Sequence, residues 1–330
     1  MQTRERTVDS EVIRLQPAFD DPERIRSLVQ EAGPFAALAL TAQTKQERER
    51  SGKVLVSFVP PWFRRDLATH GEVHSPGGEE VLFHTGYCDA AARVYRGAEI
   101  VDPTTVYVNV MGPVRYPFAP HLDIPVFVHA SRRNCPVWLL FAMFCSGLFV
   151  EQRVRLATAV TWFFDGPGGA FHYWPEGPTG PMKSEEPPFD NVAVVADNEA
   201  LYHGVGPLGS VVDESAAPLS VDATIHHESD TGRWRILDPD PVVEYEPSDV
   251  RITISWKAEV FSSEQEQAAR RELFDAPLPI DDIVARLVDD MRTRGLNPVI
   301  PDDPLHDPEW IDLVQSAYPL APPPVIPRSG

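Results

Sequence analysis

The chain has 330 residues, 43% of them hydrophobic, so it is long and apolar enough to bury a substantial core. Its formal net charge of −20 at pH 7 argues against nucleic acid and anionic membrane surfaces as partners, because phosphates would be repelled without a strong basic patch. The densest basic runs, Lys45 to Lys53 and Arg153 to Arg155, are short and interrupted and read as solvated surface.

The N-terminal stretch MQTRERTVDSEV is charged and has no apolar signal-type segment, so a cytoplasmic location is expected. Residues Pro22 to Glu31 predict a first helix, with Asp20 or Asp21 as its cap, Pro22 in its first turn, and Ile25, Leu28 and Val29 as its apolar stripe. Thr41 to Ser51 is polar and reads as helical or mobile. From Val54 to Val94 the pattern is mixed, with turns expected at Pro60-Pro61 and Pro76-Gly77-Gly78. Residues 1–104 are therefore expected to form a flank or lid. Among the cysteines, Cys88, Cys135 and Cys145 lack metal-ligand spacing and fit a reducing compartment as core residues.

The middle of the chain is β-rich. Strands are expected at Thr105 to Met111, Leu122 to Val128, Val154 to Asp165, Ala170 to Trp174, Val192 to Asp197, Leu201 to Val205 and Val250 to Val260. Between the second and third, Val137 to Phe149 is strongly apolar but broken by Ser146 and Gly147; it is too short to span a bilayer and reads as a buried helix or strand pair. Antiparallel strands linked by turns such as Asp165-Gly166-Pro167-Gly168-Gly169 suit a double-stranded β-helix, or jelly roll. The fold class expected is mainly β with flanking helices, a jelly-roll core over residues 105–261 in a single decorated domain. Trp162, Phe164 and Trp174 are expected in its core.

After the barrel, Ser262 and Ser263 with Gln265 and Glu266 give capping-box spacing for a helix through Leu273. A second helix, Asp281 to Arg294, places Ile283, Val284, Leu287 and Met291 on one face, suited to the outside of the barrel or to a dimer interface. Helices thus fill residues 262–318, and 319–330 is a Pro-rich tail. Monomer and homodimer both remain open.

Four polar positions along this frame carry chemistry. In His121-Leu122-Asp123, residues two apart on a strand share a face, so both side chains can reach one metal while Leu122 packs behind. His203, in LYHGVG, supplies a third ligand from a distant strand. Two imidazoles and one carboxylate can occupy one face of an octahedral iron. In VRITISWK the alternation sets Arg251, Thr253, Ser255 and Lys257 opposite Ile252, Ile254 and Trp256, and an arginine there can hold a dicarboxylate. His172 is the rival ligand and His129 a candidate pocket residue. His226 and His227, being adjacent, face opposite ways and are read as surface.

In order and spacing these residues resemble the Fe(II)/2-oxoglutarate-dependent dioxygenases, whose pattern is HxD, a distal His and then Arg-x-Ser/Thr, over residues 107–261. The resemblance implies that His121, Asp123 and His203 bind Fe(II). It implies that Arg251 binds the distal carboxylate of 2-oxoglutarate, with Thr253 as its hydrogen-bonding neighbour. The interval from His203 to Arg251 is longer than the family's short hairpin, which makes Lys257 the reserve anchor. An O2-dependent hydroxylation, desaturation or cyclisation of a small-molecule substrate would follow. Halogenation is disfavoured because Asp123 fills the carboxylate position. Lys257, Arg235 and Arg233 are candidates for a substrate carboxylate. An iron oxygenase that uses no 2-oxoglutarate, and a cupin-type metal or small-ligand binding protein, are the alternatives.

Overall fold

The structure, a computed structural model, describes residues 11–40, 57–209, 219–220 and 222–326. The polar stretch Thr41 to Ser51, expected to be helical or mobile, lies outside these residues. By internal contacts the chain divides into two compact units, one comprising residues 1–122, 156–260 and 324–330, the other 123–155 and 261–323.

The first unit holds, in chain order, β1 (Ile13–Leu15), α1 (Pro22–Ala32), β2 (Phe35–Leu40), β3 (Ser57–Thr69), β4 (Glu72–Val73), α2 (Gly78–Leu82), α3 (Thr85–Val94), β5 (Ile100–Met111) and β6 (Phe118–His121). It continues with β7 (Arg155–Phe164), β8 (Phe171–Trp174), β9 (Lys183–Glu185), β10 (Phe189–Ala196), β11 (Tyr202–Val205), β12 (Thr224–His227), β13 (Trp234–Leu237), β14 (Pro241–Tyr245) and β15 (Arg251–Phe261). Helix α1 forms as its signals demand: the Asp21 carboxylate accepts from Arg24 N, Pro22 opens the helix, and Ile25, Leu28, Val29 and Ala32 are buried.

Two sheets result. The large one runs β1-β10-β7-β15-β5-β3-β2-β12-β13-β14, with β4 on β3, and the small one runs β6-β11-β8-β9. From β5 to β15 the chain passes back and forth between the sheets, and the neighbours it makes are non-sequential, as in a double-stranded β-helix. Side chains from both sheets meet in one core, among them Trp62, Met111, Trp162 and Val192 from the large sheet and Phe171, Tyr173 and Val205 from the small. The opposite face of the large sheet, with Phe63, Val108, Val110, Ile252, Ile254 and Trp256, forms a second core with α1 and α3. Because strand side chains alternate, these clusters tell which residues of β3, β5, β7 and β15 point between the sheets.

Two local expectations differ from what forms. Pro60-Pro61 lies within β3 and is not a turn. Pairing with β2 skips there, from Ala37 opposite Phe63 to Ala39 opposite Phe58, and an irregular step tolerates residues with no N–H to donate. Leu122 to Val128 is not a strand. Its ladder reduces to an isolated bridge of Phe127 with Arg153, downstream of Pro125.

The second unit contains α4 (Val137–Ser146), α5 (Glu264–Leu273), α6 (Ile280–Thr293) and α7 (Pro308–Ala317). The apolar run is thus a helix, ended at Gly147, whose φ of 69° is open to glycine. Ser263 caps α5 through Glu266 N, and α6 buries Ile283, Val284, Leu287, Val288 and Met291. Helix α7, capped by Asp307, falls within the stretch 262–318 expected to be helical, beyond the two helices given bounds there. Among the described residues no helix is long and apolar enough to cross a membrane.

Candidate metal centre and anion pocket

Strands β6 and β11 are antiparallel, with His203 directly opposite His121. Opposed residues send their side chains to the same face, and the two imidazole centroids are 4.4 Å apart with planes at 52°. Strand β6 ends at His121, and the chain then carries Asp123 to the same place. The ligand atoms of His121, Asp123 and His203 all lie within 4.8 Å of one another. Although Asp123 opens the second unit by contacts, its position here follows from being two residues from His121.

Each histidine is oriented from behind by its own strand. His121 Nδ1 lies 3.0 Å from the carbonyl oxygen of Ala119, and His203 Nδ1 lies 2.9 Å from that of Leu201. A carbonyl only accepts, so Nδ1 must carry the proton in both rings, which puts the metal-binding lone pair on Nε2. Two neutral imidazoles and a carboxylate suit Fe(II), leaving the other coordination positions for exogenous ligands. Gly204 permits the close strand approach. A Cβ there would stand 2.8 Å from the Phe118 carbonyl oxygen.

The other histidines lie elsewhere. His172 is paired with Gly204, next to the Tyr173–His203 pair, and so faces away from the triad, bonded through Nδ1 to Ser184 Oγ at 2.7 Å. Burial lowers its pKa. His129 lines a cavity of about 260 Å³ within the second unit, with Phe127, Met143, Phe149 and Arg286. His226 and His227 are half-buried on β12 and border a cavity of about 510 Å³ with Ser27, Gln30 and Glu31.

Strand β15 turns Arg251, Thr253 and Ser255 away from the apolar core formed by Ile252, Ile254 and Trp256, toward the space between the sheets, and all three are buried. Arg251 is 1% exposed. Its Nη1 donates to Thr253 Oγ1 at 2.7 Å, and the guanidinium carbon lies 5.7 Å from the Trp162 ring centroid and 5.5 Å from that of Phe189. Nε and Nη2 have no hydrogen-bond partner among the described residues. Burial without a counter-charge pulls the Arg251 pKa down to about 9. Trp62 Nε1, Trp162 Nε1 and Thr158 Oγ1, on the same sheet face, are likewise buried and unpartnered. Tilted ring contacts lead from Arg251 to the triad: Trp162 to Phe171 at 4.8 Å, and Phe171 to His203 at 5.8 Å.

Lys257 sits six residues along the same strand, a rise of about 20 Å from Arg251, so the two cannot serve one carboxylate. Arg233 and Arg235 are committed to ion pairs with Glu228, Glu244 and Glu246 at 2.5–3.4 Å. Arg64 and Trp62 on β3 are not among the residues expected from sequence to serve the site. Their only signal was the apolar-polar alternation of WFRRD, obscured by the prolines before it.

No protein-family model and no curated protein matches this chain. Among solved structures it is similar to an oxidoreductase of the 2OG-Fe(II) oxygenase family from Burkholderia pseudomallei, with a TM-score of 0.41 and 12% identity over 75% of this chain and 85% of that one. It is also similar to a Pseudomonas putida prolyl-4-hydroxylase, with a TM-score of 0.38 and 12% identity over 76% of this chain and 94% of that one. HygX from Streptomyces hygroscopicus, solved with nickel and 2-oxoglutarate bound, gives 0.39 and 9% over 76% and 83%. At these TM-scores the likeness is loose, and the functional assignment rests on the side chains.

Proposed function

We propose that the protein is a non-haem Fe(II)/2-oxoglutarate-dependent oxygenase that oxidises a C–H bond of a small molecule. The observation that carries this reading is Arg251, a fully buried cation with two donors that find no partner among the described residues, linked to His203 through two rings, Trp162 and Phe171. A buried charge without a partner is costly, and a ligand carboxylate is the natural group to complete it. With iron bound, the centre would supply O2 activation coupled to oxidative decarboxylation of 2-oxoglutarate to succinate.

The chain's own groups then have distinct tasks. His121, Asp123 and His203 hold the metal, with the Ala119 and Leu201 carbonyls fixing the ring orientation. Arg251 receives the distal carboxylate through Nε and Nη2, while Thr253 holds Nη1 and so sets the plane of the guanidinium fork. Trp162, Phe171 and Phe189 exclude water around that charge, which strengthens the contact. Asp123 keeps the carboxylate position filled, which favours oxygen transfer, desaturation or cyclisation over halide transfer.

The test is formation of succinate from 2-oxoglutarate by Fe(II)-loaded protein in air. Arg251→Met should raise the KM for 2-oxoglutarate by about 10- to 100-fold, as for loss of a charge-assisted bidentate contact, while leaving metal affinity within a factor of a few. Oxygen uptake that ignores 2-oxoglutarate would instead point to an oxygenase that draws its electrons from its substrate. Metal binding without oxygen uptake would point to a cupin-type binding protein.

A further inference from the structure

Two strands from Arg251, the same face of the large sheet carries a second arginine. Register pairs Trp62 with Met111 and Arg64 with Asn109, so Arg64 shares the face of Trp62, which belongs to the core between the sheets. Arg64 Nε donates to Asn109 Oδ1 at 2.9 Å, and its guanidinium carbon stands 4.0 Å over the Tyr107 ring. Asn109 is 5% exposed, so the anchor itself is rigid. Among the described residues neither an acidic side chain nor any acceptor for its Nη groups pairs with the half-buried Arg64. Asp66, next on that face, is exposed.

Trp62 adds an independent sign of a ligand. It is 8% exposed, and its Nε1 donor is buried with no partner among the described residues. Its ring meets Phe118 edge-on at 4.5 Å, and Phe118 meets His121 at 4.6 Å. A molecule anchored at Arg64 and laid along Trp62 and Phe118 would therefore reach the metal centre. The sheet order β15-β5-β3 puts β5 between the strands of the two arginines, and their guanidinium groups are held by different neighbours, Arg251 by Thr253 and Arg64 by Asn109.

We propose that Arg64, oriented by Asn109 and Tyr107 and assisted by Trp62 Nε1, binds the carboxylate of the primary substrate, which is thus a small organic acid separate from the 2-oxoglutarate on Arg251. This rests on the oxygenase reading for its outcome at the metal, though not for binding. Arg233 and Arg235 are excluded from the role by their glutamate partners.

The probes are matched pairs: phenylacetate, 3-phenylpropionate and 4-phenylbutyrate, each against its primary amide. Each is titrated calorimetrically into the full chain loaded with Mn(II) and saturating 2-oxoglutarate, so that Arg251 is occupied. At least one acid should bind ten-fold or more tighter than its amide. Arg64→Gln should remove that preference by weakening the acid ten-fold or more with the amide within two-fold, and Arg64→Lys should restore part of it. Trp62→Phe, which keeps the ring and deletes the N–H, should weaken the acid alone. Acids and amides that bind alike, no binding by any acid, or equal weakening of both by Arg64→Gln would overturn the proposal. The isotherm of 2-oxoglutarate itself judges the oxygenase reading. If it fails while the Arg64-dependent acid preference persists in the metal-free chain, the function falls and the anion site stands.

Discussion

At the scale of single residues, the decisive contrast is between Arg251 and the exposed arginines. Arg233 and Arg235 have glutamates at hand and solvent around them, so their charges are cheap and their pairs weak. Arg251 has neither, only Thr253 and aromatic rings. Removing an unpaired buried charge stabilises a ligand-free protein, whereas it destroys binding of the anion that completes it. Arg251→Met should therefore raise the apparent Tm of the ligand-free protein by a few degrees and abolish the upward Tm shift that 2-oxoglutarate gives the wild type. A loss of stability in the ligand-free variant, read by thermal denaturation, would mean that Arg251 is structural. At the metal, Asp123→Ala should eliminate succinate formation, and near-normal turnover by that variant would remove Asp123 from the ligand set.

At the scale of elements, the site depends on how closely strands approach. Gly204 on β11 sits against the Phe118 carbonyl oxygen, and Gly169, with φ +72°, would place a Cβ 2.6 Å from Leu208 Cδ1 and 3.1 Å from Arg251 Cδ. Gly204→Ala should push β6 and His121 away and lower metal affinity. Gly169→Ala should displace Arg251 and weaken 2-oxoglutarate with the metal still bound. Titrations of metal and cosubstrate on each variant separate the two effects. Buried histidines add a pH dependence. Burial lowers the pKa of His84 and of His172 below the ordinary 6.5, so below pH 6.5 the unfolded chain takes up protons that the folded chain does not. Stability should fall as pH drops from about 6.5 toward 5, and the slope in a denaturant titration should be shallower in His172→Gln.

Much of this arrangement was legible in the sequence, for physical reasons. The alternation in β15 announced a strand with one polar face, and its capping signals placed α1 and α5 within a few residues of where they form. The i,i+2 spacing of His121 and Asp123 brought both side chains to one place, with their ligand atoms and that of His203 within 4.8 Å of one another, even though the strand stops between them. What could not be read was pairing. Strands β12, β13 and β14 are short and mixed in composition, and β2 is a small-residue run, FAALAL, so their assignment depends on neighbours far along the chain. Pro60-Pro61 hid β3, and with it Arg64.

At the scale of the whole molecule, a net charge of −20 contrasts with two cations on one face of the large sheet, Arg251, which is buried, and Arg64, which is half-buried. Self-repulsion disfavours the compact state and is screened by salt. Raising ionic strength from about 10 mM to about 200 mM should therefore raise the Tm by a few degrees, since the Debye length falls from about 30 Å to under about 10 Å across that range. An unchanged or lower Tm would show that local ion pairs outweigh the net charge. Electrostatics also favours anionic ligands only once they are inside, where the two arginines act at close range with little screening.

The most direct measurement of the central claim is an anaerobic titration of metal-free protein with Fe(II) and then 2-oxoglutarate, followed by visible absorbance. A weak charge-transfer band that requires both additions, vanishes in His203→Ala and needs much more 2-oxoglutarate in Arg251→Met is the predicted result. Iron that binds without any band on addition of 2-oxoglutarate, or a band untouched by either substitution, would contradict the assignment.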